Sequence, residues 1–108
     1  MDNSNIPYDA DGNVIRNLLQ KGFDFSKEYE IDFNVDFHLW PPNEKALVRL
    51  QERFPNLEIF EGDEREDNYI LLRVSNRVSY DFVVKTQNQV TNLVSEYGGY
   101  CDSWGVLH

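Results

Sequence analysis

The feature that most constrains the fold is a ten-residue run, residues 28–37, in which apolar and polar side chains alternate. The apolar members are Ile31, Phe33, Val35 and Phe37, and the polar members between them are Asp32, Asn34 and Asp36. Because successive side chains of a strand point to opposite faces, this pattern predicts a strand with one buried and one polar face. The chain is therefore expected to build a sheet that lies with one face against a core.

Helix and strand signals alternate along the rest of the chain. The predicted elements are a helix over about 11–21, the strand 28–37, a helix between Pro42 and Pro55, strands over 57–60 and 69–75, a helix from Ser79 to Tyr97 and a last strand after Gly99. The first helix has cap candidates in 9–12 and ends at Gly22, a residue suited to the position after a helix. Pro42 is placed in the first turn of the second helix, where its missing N–H is tolerated.

After the first helix, the order strand–helix–strand–strand–helix–strand predicts an α+β ferredoxin-like sandwich. Right-handed crossovers give an antiparallel sheet in the order 4-1-3-2, with both long helices on one face. We expect a single domain over 1–108, with 1–8 as a loose lead-in. The extra N-terminal helix can either cover part of the open sheet face or extend the helical layer, and both placements remain open.

Period-two alternation assigns a set of side chains to the sheet face away from the helices. These are Asp32, Asn34, Asp36, Tyr69, Leu71, Arg73, Tyr100, Asp102 and Trp104. Gly99 and Gly105 flank the last three and suggest close backbone approach or a positive φ at both ends of that strand. Cys101 alternates to the opposite face, which predicts an ordinary core cysteine.

The net charge of −9 argues against nucleic acid and anionic membranes as partners, since both attract clustered Lys and Arg. It favours a basic protein partner, although acidity can also serve solubility alone. The single cysteine fits a reducing compartment, and neither a membrane-spanning apolar run nor a signal peptide is recognisable. We therefore expect a soluble cytoplasmic protein.

Three carboxylates, Asp32, Asp36 and Asp102, are predicted to lie near one another on the open face. Such a group can perform acid–base chemistry or bind a hard cation. Because Arg73 is predicted on the same face, a structural ion-pair cluster is the favoured interpretation.

No cofactor, metal or catalytic residue is predicted from the remaining motifs. The calcium-loop pattern fails after Asp36, and one cysteine with two separated histidines does not make a usual zinc site. The predicted strand 69–75 lacks the basic, glycine-containing signature of RNA-recognition modules, so direct nucleic-acid binding is not expected. Tyr69, Tyr100 and Trp104 among charges instead have the composition of a protein-binding surface, unless the first helix covers them.

Three segments resemble the ribonuclease E inhibitor (RraB) family over about 9–105. They are the acidic opening helix running into Gly22 and Asp24, the strand Glu30-Ile31-Asp32-Phe33, and the closing run Gly98-Gly99-Tyr100-Cys101-Asp102-Ser103-Trp104-Gly105. The resemblance implies a small acidic bacterial protein with a ferredoxin-like sandwich that binds ribonuclease E, lowers its activity and is not itself an enzyme. Asp102, Trp104 and Gly105 match the family's closing aspartate and Trp-Gly.

These observations predict a regulator that modulates a ribonuclease of the ribonuclease E type, and hence RNA turnover, by direct contact. The predicted partner-binding residues are Asp32, Asn34, Asp36, Tyr69, Arg73, Tyr100, Asp102, Trp104 and Gly105. Trp104→Ala is expected to weaken partner binding more than stability. Two alternatives remain open: an acidic immunity-type or adaptor protein that binds a basic partner, and a small enzyme that uses Asp32, Asp36 or Asp102. The oligomeric state also remains open.

Overall fold

The computed structural model describes residues 6–62 and 68–106. Its elements are α1 Ala10–Gln20, β1 Glu28–Phe37, α2 Glu44–Arg53, β2 Glu58–Phe60, β3 Tyr69–Arg77, α3 Tyr80–Val94 and β4 Gly99–Val106, with a short 3-10 helix, Ser95–Tyr97, between α3 and β4. Residues 63–67, in the connection before β3, and residues 1–5 of the predicted lead-in lie outside the described residues. No helix in the described ranges is long and apolar enough to cross a membrane.

The strands form one antiparallel sheet in the order β2-β3-β1-β4. Counted from the opposite edge, this is the order 4-1-3-2. The central strand β1 pairs with β3 from Glu28↔Arg77 to Val35↔Ile70 and with β4 from Ile31↔Val106 to Phe37↔Gly99. The fold is therefore a mixed α/β arrangement in which β1, the strand with the clearest sequence pattern, lies inside the sheet.

The three helices pack on the same sheet face. Ile15 of α1, Leu50 of α2 and Val90 of α3 are fully buried in one core with Phe33 and Leu72 of the sheet. Because α1 contributes to this core, it extends the helical layer, which decides between the two placements that the sequence left open. The other sheet face carries no helix within the described ranges.

Side-chain caps fix where the helices begin. Oxygens of Asp9, Asn43 and Ser79 accept hydrogen bonds at 2.7 to 3.1 Å from backbone N–H groups of the first turns. The prediction for Ser79 is confirmed. The prediction for Pro42 is wrong, because Asn43 caps α2 and Pro42 therefore precedes the helix.

The lead-in is not loose throughout. Ile6 is only 4% exposed and belongs to the core, and its carbonyl accepts a hydrogen bond from Arg16 Nη1 at 2.9 Å. The chain is therefore anchored before α1 begins, which corrects the prediction for this part of 1–8.

The double glycine before β4 makes the predicted turn. Gly98 has a φ of +75°, a conformation that glycine adopts without steric cost. A Cβ on Gly99 would lie 2.5 Å from Phe37 Cε1 and 2.7 Å from Val94 Cγ2, so this residue must be small. Gly105 has open space around it and no positive φ, and the expectation of a special conformation there is wrong.

A β-bulge in β4 overturns the predicted position of Trp104. The register runs Asn34↔Ser103 and then Val35↔Cys101, so Asp102 is an extra residue opposite β1. An extra residue reverses the alternation beyond it, and Trp104 pairs with Phe33 on the core face, where it is 9% exposed. Trp104 thus lies on the same face as Cys101, not on the opposite one.

An open sheet face as the candidate functional site

The sheet face away from the helices brings together most of the predicted site residues, and we call it the open face. Its members on β1, β3 and β4 are Asp32, Asn34, Asp36, Tyr69, Leu71, Arg73, Tyr100, Asp102 and Gly105. Of the predicted set, Trp104 alone is missing from it. The bulge thus removes the predicted tryptophan anchor but leaves the carboxylates and tyrosines together.

Arg73 forms ion pairs with three carboxylates in one half of the open face. Its Nε lies 3.2 Å from Glu30 Oε1 and 3.5 Å from Asp32 Oδ1, and its Nη1 bonds to Glu58. The hydrogen bond to Glu58, more than the nearby negative charges, raises the pKa of Arg73. The guanidinium is therefore committed to three carboxylates, and the predicted ion-pair cluster is confirmed for Asp32.

The other half of the open face is acidic. Asn34, Asp36, Tyr69 and Asp102 line an open depression of about 200 Å³. Among the described residues, no cationic side chain forms a salt bridge to Asp36 or Asp102, and Arg73 pairs with other carboxylates. The three aspartates predicted to act together thus divide into one that is ion-paired with Arg73 and two that line the depression.

Burial and like charge act together on Asp36. Its desolvation beneath the depression, followed by the negative charge of Asp102, raises the pKa of the Asp36 carboxyl above its usual value. The bulge contributes to this directly, because Asp102 is the inserted residue. The acidic half of the face therefore carries an electrostatic repulsion that a bound cation would relieve.

Aromatic rings stand beside these carboxylates in a row across the sheet. Phe60 and Tyr69, paired across β2 and β3, stack with ring centroids 4.9 Å apart and planes 13° apart. Tyr100 pairs with Asp36 across β1 and β4, and its ring lies 5.1 Å from that of His38. Aromatic rings thus flank Asp36 on both neighbouring strands.

The predicted site did not include Glu30, Glu58 or Ser103. Period-two alternation could have placed Glu30 on the open face, because it stands two residues before Asp32 and shares its face. Ser103, which accepts a hydrogen bond from Asn34 Nδ2 at 3.0 Å, reaches this face only through the bulge. Glu58 meets Arg73 across strands whose register no local pattern fixes, so the sequence held no signal for that contact.

Trp104 instead anchors α1. Its Nε1 donates a hydrogen bond to Asp11 Oδ1 at 2.8 Å, and the same oxygen accepts one from Gln87 Nε2 at 3.2 Å. One carboxylate oxygen therefore joins α1, α3 and β4. Trp104 has the surroundings of a structural residue, since its ring is in the core and its one polar group is satisfied.

Cys101 is half-buried against the core, as an ordinary core cysteine should be. Its burial, with a smaller effect of Asp102, raises the pKa of the thiol to about 12. Because the thiolate is the reactive form, this environment does not favour nucleophilic chemistry.

The open depression has the shape of a contact surface more than of an enzyme pocket. Small-molecule sites usually enclose about 300 to 1,000 Å³, which is more than this depression offers. Within the described ranges, no group of three or more His, Cys, Asp or Glu side chains is arranged to hold a metal ion. The arrangement supports cation recognition by carboxylates and aromatic rings at a protein surface.

Comparison with known proteins assigns the family. The family described as "Regulator of ribonuclease activity B" matches residues 8–106, nearly the whole chain. The chain belongs to the RraB family. The resemblance inferred from sequence is therefore confirmed, and it places this RraB protein in a family of regulators. Among curated proteins, none matches the chain.

The RraB match includes every helix and strand of the fold and all of the open face. The surface left bare by the helices is therefore part of the RraB domain itself.

Proposed function

We propose that this RraB protein regulates a ribonuclease of the ribonuclease E type by direct contact through the open face, and thereby alters RNA turnover in the bacterial cytoplasm. The family supplies the kind of activity. The observation that carries the choice of surface is the sheet face without a helical cover, on which carboxylates and tyrosines lie together.

The chemistry of the face favours a basic partner. Asp36 and Asp102 present negative charge that no described cation neutralises, and Tyr69 and Tyr100 supply aromatic area beside them. Interfaces concentrate their energy in aromatic anchors surrounded by polar groups, and complementary charge steers association. We also infer a non-enzymatic role, because the family is described as a regulator of another protein's activity.

We also infer that the fold is ferredoxin-like. The support is the order β-α-β-β-α-β after α1, the sheet order β2-β3-β1-β4 and the helices on one face. In this arrangement the open face is available to a partner without any rearrangement of the helices.

The test uses the purified 108-residue chain and a purified ribonuclease E type enzyme. Binding is measured by biolayer interferometry, and the rate of cleavage of a short RNA is measured with and without the chain. We expect binding and a lowered cleavage rate. Absence of binding at a concentration of about 100 μM, together with an unchanged rate of RNA cleavage, would contradict the proposal.

A matched pair of variants locates the surface. Asp36→Asn with Asp102→Asn removes two charges from the open face, and we expect affinity to fall about tenfold. Glu52→Gln with Asp81→Asn removes two exposed charges from α2 and α3 and should leave affinity unchanged. An equal loss in both double variants would show that net charge, and not the open face, governs binding.

A further inference from the structure

We propose that the acidic half of the open face is a socket for an arginine side chain of the partner, whose guanidinium stacks on Tyr69 and pairs with Asp36 and Asp102. This inference rests on the proposed function and adds the chemical group that the face recognises. Its occupant is an exposed arginine in a basic segment of the partner protein.

The stacking geometry defines where a planar cation fits. The ring centroids of Phe60 and Tyr69 lie 4.9 Å apart and the ring planes differ by 13°, so Phe60 is stacked against one face of Tyr69. Tyr69 also lines the depression together with Asn34 and Asp36 of β1.

A guanidinium in this depression would lie against the part of the Tyr69 ring that Phe60 does not cover, with the carboxylates of Asp36 and Asp102 lining the same depression. Arginine suits this position better than lysine, because its planar group stacks on aromatic rings and offers paired donors to a carboxylate. A lysine ammonium would form the ion pairs with the carboxylates but has no planar group to stack on the ring.

One of the groups that line the depression, Asn34, is held by a side-chain hydrogen bond. Asn34 Nδ2 donates to Ser103 Oγ, which leaves the Asn34 oxygen as the acceptor of that amide. Tyr100 pairs with Asp36 from the β4 side. The nearest described cation on the face, Arg73, is held by Glu30, Asp32 and Glu58 and so does not fill the socket itself.

The two halves differ in ion pairing, and this difference supports the same occupant. Around Arg73, negative groups meet a positive one within the protein, whereas Asp36 and Asp102 repel each other, and this repulsion helps to raise the pKa of Asp36. A bound guanidinium would supply to the acidic half what Arg73 supplies to the other half.

The experiment titrates the isotopically labelled 108-residue chain with tetra-arginine, tetra-lysine and tetra-citrulline peptides and follows backbone amide shifts by NMR at physiological salt. Citrulline keeps the planar shape of arginine without its charge. We expect tetra-arginine to shift the amide signals of residues 34–36, 69–71 and 100–103. It should bind at least about threefold more tightly than tetra-lysine, and tetra-citrulline should bind more weakly than tetra-arginine.

Two variants test the roles of ring and charge. Tyr69→Leu should remove the preference for arginine over lysine, whereas Tyr69→Phe should keep it, because the stacking ring remains. Asp36→Asn with Asp102→Asn should weaken tetra-arginine binding about tenfold, and Glu52→Gln with Asp81→Asn should not. The amide spectrum of each variant reports whether it is folded.

Equal affinity for arginine and lysine, or shifts spread over the whole acidic surface, would overturn the socket. If the peptides fail in this way while the ribonuclease is still bound and inhibited through the open face, the arginine socket is wrong and the proposed function stands. If tetra-arginine binds as expected but no ribonuclease E type enzyme is bound, the socket stands and the proposed partner is wrong.

Discussion

At the scale of single residues, the environment of Trp104 decides what its replacement does. The ring is 9% exposed, packs in the core and holds Asp11 through its indole N–H. These contacts tie β4 to α1 and give the residue a structural role. The expectation that Trp104→Ala affects binding more than stability therefore no longer follows from its position.

Trp104→Ala should lower the free energy of unfolding by about 3 to 5 kcal/mol, since it removes a large core ring and leaves a cavity. Trp104→Phe should cost about 1 kcal/mol from the lost hydrogen bond, with a further cost for reduced packing. Urea unfolding followed by circular dichroism measures both. A loss below about 1 kcal/mol for Trp104→Ala would contradict the core position.

Two glycines of β4 make a matched pair. Gly99→Ala should destabilise by about 1 to 3 kcal/mol, because its Cβ would press against Phe37 and Val94. Gly105→Ala, with no heavy atom within 4 Å of its new Cβ, should change stability by less than about 0.5 kcal/mol. Thermal unfolding of the two variants compares them, and equal effects would be evidence against the close approach at Gly99.

Ionisation of the Asp36 carboxyl should lower the free energy of unfolding. Because burial and Asp102 raise its pKa in the folded state, ionisation is less favourable in the folded chain than in the unfolded one. Asp36→Asn should therefore raise the melting temperature at pH 7. The difference from the wild type should shrink as the pH falls through the folded pKa and the wild-type carboxyl becomes neutral. A variant less stable than the wild type at pH 7 would contradict this sign.

At the scale of elements, the bulge in β4 sets the chemistry of both sheet faces. Asp102 is the one residue of β4 that has no partner of its own in the β1–β4 register. Its insertion sends Cys101 and Trp104 to the same face and adds a carboxylate to the open face. The strand therefore packs its core residues at an irregular spacing.

Deleting Asp102 should leave the fold intact. Without the extra residue, Ser103 and Cys101 still oppose Asn34 and Val35, and the alternation becomes regular. We expect the melting temperature to fall by no more than about 5 °C, equivalent to about 1 kcal/mol.

Deletion of Asn34 is the control, because it removes a polar residue of the same face from a strand without a bulge. The side chains of β1 on one side of the deletion should then point to the wrong sheet face, so that the variant has no cooperative unfolding transition. If both deletions have the same effect, the bulge does not act as a separable insertion.

Local patterns predicted the elements that depend on local physics. The alternation in β1 is maintained by burial on one face, and Ser79 caps α3 by a contact three residues away, so both were visible in the sequence. The bulge was not visible, because β4 also accommodates an unbulged arrangement and only its pairing with β1 fixes the extra residue. One shifted residue was enough to misplace Trp104, the most prominent side chain of the strand.

The same limit applies to the candidate site. Asp36, Tyr69, Tyr100 and Asp102 were assigned correctly to one face, since their strands alternate up to the bulge. The division of that face into a half with an ion-pair cluster and a half without one depends on which carboxylates reach Arg73. That choice is made by cross-strand register, which the sequence of each strand does not encode by itself.

At the scale of the whole molecule, the helices lie on one side and the net charge is −9. The layer of helices buries the core, and the opposite side of the sheet is left to present charge. Long-range attraction from the whole chain and short-range recognition by the open face therefore act on the same class of basic partner.

The association rate with a basic partner should depend strongly on salt. Raising the salt concentration from about 50 to 500 mM shortens the Debye length to a few ångströms, and we expect the association rate constant to fall by about tenfold or more. The dissociation rate should change less, because contacts within the socket are shielded from the solvent ions. Stopped-flow fluorescence measures both, and an association rate independent of salt would rule out electrostatic steering.

The unequal halves of the open face also give it a direction. A chain segment lying along the strands meets Arg73 near one end and Asp36 with Asp102 near the other. A segment with a cation at one end and an uncharged group at the other is favoured in the orientation that brings its cation to Asp36 and Asp102 and keeps it away from Arg73. The sheet is thus able to distinguish the N-to-C sense of a bound peptide, and two peptides of identical composition but reversed sequence should bind unequally.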